Sequence, residues 1–382
     1  MSDETSITNT DCGWKVVLNV DGAEVSGLSI VDHRVRVGSA GLKMAGIAGV
    51  WTGKDYRRQG YASRVMWSAI EEMKSRRYDV SILFGIEDFY HRYGYSVCFA
   101  SPVCQVLVDA ISGLAPKGVY RARAATSGDL PGIVALYRKS NAARSATTLR
   151  PGKWKPLHGR LGGWRMPRMA QDVERRPGKA IVVEDGRGAV VAYASYDAQN
   201  GHCMVTEIGG GSRAAYPALL GRMCQLARRA GADRVRFCLP FDDPFGEYLG
   251  RFGCGWSIHF PENSGSMGRL VGVKSTIRKL LPTLGNRLAL SEVQLPKEGI
   301  TFITDLGAVT LGTLKSEMKV TTYRSTKTVS ISQKQLTQLM FGYRSVDDLS
   351  LDGEIRVAKH LVKIISTLFP KSNLYMWWGD RF

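Results

Sequence analysis

Val50-Trp51-Thr52-Gly53-Lys54-Asp55-Tyr56-Arg57-Arg58-Gln59-Gly60-Tyr61-Ala62 runs from an apolar strand end, through a basic turn, into a change of period. From Gly60 to Arg77 the apolar residues Tyr61, Val65, Met66, Ala69, Ile70 and Met73 recur at three- and four-residue steps, which predicts a helix with one apolar face. The first amides of a helix have no partners within it, and the helix dipole is positive there. Gly60 and Ala62 leave the backbone approachable, and Arg57 and Arg58 add charge. Such a turn is a socket for a phosphate-bearing ligand. On residue types alone it also fits a connection that binds nothing.

Before this stretch, residues 14–52 read as a β-meander: WKVVLNV, EVSGLSIV, HRVRV and KMAGIAGVWT, separated by DG and GSAG turns. After the helix, DVSILFGI (79–86) is a short strand whose continuous apolar run suits burial on both faces. EDFYHRYGY starts a short helix ending near Gly94, and SVCFASPVCQVLVD is expected to close this unit with one or two strands. From 116 to 262 the theme repeats, with a strand and helix, three strands, a helix at 213–230, strand RVRFCLP, and aromatics before a glycine in FGEYLGRFGCGW. From 263 the pattern becomes helix, strands through TFITDL, AVTLGTL and EMKVTTYR, then two further helices, an α+β arrangement. The expected units are therefore 1–115, 116–262 and 263–382.

The 382 residues, 44% apolar and 23% charged, suit a packed protein of two or three domains. No apolar run is long enough to span a bilayer, and MSDETSITNTD lacks the features of a signal peptide, so a cytoplasmic location is expected. Seven cysteines without CxxC spacing and six histidines without HExxH support neither a disulfide framework nor a metal site. The net charge of +18 sits outside the first unit, where 12 basic residues face 13 acidic ones. Residues 138–168 hold nine basic side chains, no acidic ones, and Trp154 and Trp164. That segment could attract an anion. With no nucleic-acid motif in the chain, a solvated connection is the favoured reading and nucleic acid is not an expected partner.

RRQGYA, following a V-x-T strand end and followed by FYHRYGY (89–95), resembles the cofactor signature and tyrosine-bearing segment of the GNAT N-acetyltransferases. The whole chain is similar to the Eis group, in which two GNAT domains precede a sterol-carrier-like domain. MGRLVGV, FGYRSVDDL, LFP and the terminal DRF stand where that group has its own versions. The fold implied is α/β and α+β: tandem GNAT domains, each a mixed central sheet flanked by helices, followed by a sterol-carrier-protein-like domain. The first GNAT domain is expected to be N-terminally truncated, since nothing before Trp14 reads as its usual first strand and two helices. In the second copy EIGGGSRAAY has glycines but no basic turn in register, and it is expected to bind no cofactor.

The resemblance further implies acetyl-CoA as cosubstrate and no metal. The backbone of Val50, Trp51 and Thr52 would pair with pantetheine, and Arg57, Arg58, Gln59, Gly60, Tyr61, Ala62 and Ser63 would hold the pyrophosphate. Tyr90 would be the acid that protonates the leaving sulfur, a phenol having a pKa of about 10. Its aromatic neighbours equally fit plain packing. The Phe382 carboxylate would be the base; with a reference pKa of about 3.5 it would act by orienting an ammonium or a proton-carrying water. A packed tail is the alternative, with Asp380, Glu87, Asp88 and His91 as reserve bases. The implied reaction is direct attack of a primary amine on the thioester, the acceptor being a small molecule or a peptide. The implied assembly is a homo-oligomer such as a hexamer. A rival expectation is a non-catalytic binder of coenzyme A or lipid built around the third unit.

Overall fold

The computed structural model describes residues 3–114, 118–150, 160–161, 164–165, 168–174, 178–315 and 317–382. Four strands open the chain: β1 (Asp3–Thr10), β2 (Gly13–Val20), β3 (Ala23–Val37) and β4 (Ala40–Thr52), joined by short antiparallel turns. Asp21 and Gly22, both at positive φ, make the tight link that lets β2 and β3 keep their twist. α1 (Tyr61–Ser75) follows and buries Val65, Met66, Ala69, Ile70 and Met73 against Val16, Leu18, Leu28 and Ile30. β4 then runs parallel to β5 (Val80–Gly85).

The first sheet has the order β1, β2, β3, β4, β5, Gly265–Leu270, β6 (Ser96–Val97). Gly265–Leu270, expected at the head of the third unit, lies between β5 and β6 and pairs antiparallel with both. The exchange is reciprocal. β7 (Ser101–Leu107), expected to close the first unit, lies in the second sheet between Gly255–His259 and Arg234–Phe237. Alternation identifies both segments as strands, but nothing local to a short strand specifies which sheet will accept it.

From that end the second sheet continues through His202–Gly210, Val190–Gln199 and Ala180–Glu184 to β8 (Arg121–Ala124). Its order repeats that of the first sheet, and helix Tyr216–Arg229 follows its fourth strand as α1 follows β4. The repeat corrects the expectation of a missing first strand, because β1 occupies that edge. ETSITNT gives no apolar alternation because β1 is an edge strand and largely exposed. Between β1 and β2 stand only Asp11 and Cys12, whereas the second unit has α2 (Leu130–Ser140) and helix Arg168–Glu174 at the corresponding link.

The third sheet has five strands, with Ile300–Thr304 at its centre, and its helices include Val273–Ala289, Gln333–Phe341 and Lys359–Leu368. Its core is continuous with the face of the first sheet that α1 leaves open: Val35, Leu42, Met44, Val80 and Ile82 pack in one cluster with Ile277, Leu280, Phe302 and Leu361. Among the described residues no helix is long and apolar enough to cross a membrane.

Asp79 ties these layers together. It is fully buried, and its Oδ2 accepts from the Lys43 amide at 2.7 Å and from Lys279 Nζ at 2.6 Å, joining β4 to the helix Val273–Ala289. Asp79→Ala strands a buried amide, so it should lower stability by about 1–3 kcal/mol, read as a lower urea midpoint.

Candidate active site

The parallel ladder between β4 and β5 covers only Met44 to Ile47 against Val80 to Leu83. Beyond it β4 continues through Ala48–Thr52 paired to β3 alone, which opens a wedge between β4 and β5. A bulge falls here, with Gly49 at φ +56° and nothing within 4 Å of where its Cβ would stand. Ser26 fixes the strand end, its hydroxyl lying 2.8 Å from the Trp51 carbonyl and 2.9 Å from Thr52 Oγ1. Val50 and Thr52 are half-buried and Trp51 is exposed.

At the end of β4 the chain turns through Lys54–Tyr56, and Arg58 (φ +64°) and Gly60 (φ +79°) lead into α1. The first backbone bond of the helix runs from the Arg64 amide to the Gly60 carbonyl at 3.1 Å. The amides of Arg58, Gln59, Gly60, Tyr61, Ala62 and Ser63 therefore precede the helical ladder and have no backbone acceptor among the described residues. Arg57, Arg58 and Gln59 are exposed beside them, and a Cβ on Gly60 would meet nothing within 4 Å. Six donors, the positive helix end and two guanidinium groups fit a diphosphate approaching the backbone.

Tyr90 stands on the other wall. Its ring lies on Gly85, the last residue of β5, where an added Cβ would overlap the ring edge at Cδ2. Phe89 packs edge-on against it at 4.8 Å and Tyr95 at 6.4 Å. Burial, and then the Tyr93 phenol, push the Tyr90 hydroxyl above the ordinary tyrosine range, so it carries its proton at neutral pH. Tyr93 and Tyr95 are committed elsewhere, to Ser63 at 2.8 Å and Ser81 at 2.7 Å.

The C-terminus reaches the neighbouring strand from the third unit's side. The Phe382 ring lies on Gly46 of β4, where a Cβ would meet ring atoms at 2.6 Å, and its centroid is 5.4 Å from His33 and 5.7 Å from Phe84. Arg381 stacks over Phe84 at 4.7 Å. Residues 90 and 382, far apart in sequence, thus pack on glycines of adjacent strands, Tyr90 with the core on the α1 side of the sheet and Phe382 with the core on the third unit's side.

Of the reserve candidates, Asp380 is buried in an ion pair, Glu87 and Asp88 are exposed, and His91 is half-buried with Nδ1 enclosed. Sequence reasoning missed His33, Gly46 and Gly85, which gain meaning only from what folds onto them. The basic segment is also not simply solvated: residues 145–148 and Arg150 are buried, and Arg138 donates to the Arg150 carbonyl. Residues 151–159 lie outside the described residues. In the second unit Gly209, Gly210 and Gly211 face Tyr193, Tyr216 and Leu136 so closely that side chains already fill their space.

Residues 5–98 match the acetyltransferase (GNAT) domain family and residues 305–377 the sterol carrier protein domain family. No curated protein matches the chain. Among solved structures, a probable N-acyltransferase of Enterococcus faecalis has 16% identity and a TM-score of 0.74, over 97% of this chain and 89% of that one. A GCN5-related N-acetyltransferase of Kribbella flavida has 18% identity and a TM-score of 0.73, over 96% and 88%. Eis1 of Mycobacterium abscessus has 17% identity and a TM-score of 0.66, over 96% and 91%. The first domain is that of the GNAT acetyltransferases, and the fold of the chain is shared with solved N-acyltransferases. The chain carries that domain at its start and a sterol-carrier domain at its end, with the overall architecture that Eis1 also has.

Adding a methyl at Gly85 must displace the Tyr90 ring. Gly85→Ala should cost about 1–3 kcal/mol of stability by overpacking, measurable as a lower melting temperature.

Proposed function

We propose that the protein transfers an acetyl group from acetyl-CoA to a primary amine by direct attack on the thioester. The observation that carries this reading is the wedge after Ile47 and Leu83, followed by amides without backbone acceptors among the described residues, with Tyr90 packed on Gly85 and Phe382 on Gly46 of its two strands. The free side of β4 from Val50 to Thr52 suits a pantetheine arm, and the amides from Arg58 to Ser63, with Arg57, suit the pyrophosphate. Bound acetyl-CoA supplies the activated acyl carbon.

The remaining work falls to the chain's own groups. Tyr90 keeps its proton at neutral pH and delivers it to the sulfur as the C–S bond breaks. The Phe382 carboxylate, ionised at neutral pH, orients the incoming amine and receives its proton directly or through a water as the C–N bond forms. Aromatic surface from Phe84, Phe89 and Phe382 keeps bulk water from the acyl group.

The free state of all seven cysteines agrees with a reducing, cytoplasmic setting. The acceptor is a small-molecule or peptide amine. We take 1–115, 116–262 and 263–382 as the functional units, the second binding no cofactor, and a homo-oligomer as the working assembly.

Two measurements test the reading. Tyr90→Phe should lower kcat by about 10²-fold or more while leaving the coenzyme A Kd within about twofold. Unchanged turnover would sink the acid assignment. Reversing both Arg57 and Arg58 to glutamate should weaken coenzyme A binding by about tenfold or more in calorimetry, and should spare binding of pantetheine, which lacks the diphosphate. Equal binding of coenzyme A by the reversed variant would remove the socket.

A further inference from the structure

The fourth strand of the second sheet ends its parallel ladder at Val205 against Phe237, as β4 does at Ile47 against Leu83. Two residues beyond that point the first unit has the open bulge Gly49; the second has Glu207, fully buried. Glu207 takes both terminal nitrogens of Arg150, Nη1 to Oε1 and Nη2 to Oε2, each at 2.7 Å. Tyr193 donates to the same carboxylate at 2.8 Å. Arg150 Nε reaches Asp380 Oδ1 at 3.0 Å, while the Tyr137 hydroxyl donates to Asp380 Oδ2 at 2.8 Å. Trp377 Nε1 adds a bond to Asn141 Oδ1 at 2.9 Å. Every partner in this network is buried, and it joins the second unit to the last six residues of the chain.

Two residues after Asp380 comes Phe382, on the first sheet. Two residues reach at most about 7 Å, so where Asp380 is held fixes where the terminal carboxylate can be. A buried carboxylate with both oxygens bonded to fixed donors has little freedom, and breaking one partner leaves a charge without compensation.

We propose that Arg150 is a positioning residue for the transfer reaction: the second unit, its own wedge filled, has become a clamp that sets the Phe382 carboxylate in the first unit's site. This rests on the role given above to Phe382 and goes beyond it, since it assigns the second unit a part in the chemistry.

The test uses the full chain and three variants: Asp380→Asn, Arg150→Lys, and a chain lacking Phe382. Asp380→Asn leaves Arg150 paired with Glu207, which favours folding. It should lower kcat by about 10²-fold with KM for acetyl-CoA within about twofold, and removing Phe382 from that variant should cost little more. Arg150→Lys keeps the charge without the fork and should show a loss of the same kind. Carboxypeptidase A, which prefers a terminal aromatic, should release phenylalanine from the folded Asp380→Asn chain faster than from the native one. If the chain lacking Phe382 keeps full turnover, the carboxylate reading itself fails and this proposal with it. If that chain is inactive while folded Asp380→Asn and Arg150→Lys both turn over normally and resist carboxypeptidase, the clamp alone is overturned.

Discussion

One parallel ladder ends early, and the cleft follows from it. β4 and β5 hold together for four residues and then part, because a bulge at Gly49 takes β4 out of register. Strand backbone that loses its neighbour must find another partner, so parting two strands inside a sheet creates a place for an extended ligand. The helix after β4 starts at the same end, putting unpaired amides in line with the gap. Polypeptide geometry thus accounts for a strand edge and a set of amides without backbone partners among the described residues before any side chain is considered.

What keeps the gap from closing is the way the three units are built into one another. Gly265–Leu270 completes the first sheet beside β5, β7 completes the second, and the third unit's helix Val273–Ala289 covers the first sheet's back face. The segment 146–149 also docks on β3, with backbone hydrogen bonds between Ala146 and Arg36, Arg36 and Thr147, and Leu149 and Arg34. None of these units can shift without unpairing strands that belong to another, so the first unit's wall is supported from outside itself. The C-terminal tail uses the same support: Tyr375 and Trp377 sit in the second unit's core and Phe382 lies on Gly46 of the first sheet.

The two copies of the module diverge by what fills the gap. In the first, glycines at 46 and 85 make room for the Phe382 and Tyr90 rings, and Gly49 stands open. In the second, Tyr193, Glu207 and Arg150 occupy it with an ion cluster, in which burial works against the guanidinium charge and the two carboxylates outweigh it. The same backbone therefore leaves an open bulge in one unit and a buried ion cluster in the other, decided by side-chain volume and charge.

Much of the cleft was legible in local patterns. The change of period at Gly60, the basic pair at 57 and 58, and the aromatic run at 89–95 reported the helix start, the exposed basic turn and the short aromatic helix, because turn chemistry and amphipathic spacing act over a few residues. β1 went unread because an exposed edge strand needs no apolar alternation. The packing of Phe382 on the first sheet was suggested by resemblance and by nothing in its neighbours. Local order in the chain was enough to assign most strands and helices, to find where an anion can meet a helix end, and to see that one module occurs twice. The folded molecule was needed to learn which sheet each short strand completes, what His33, Gly46 and Gly85 touch, and that Arg150 is buried against Glu207 and Asp380. The difference is one of range: propensity and periodicity are carried by adjacent residues, whereas strand acceptance and charge pairing join groups as distant in the chain as Arg150 is from Glu207 and Asp380.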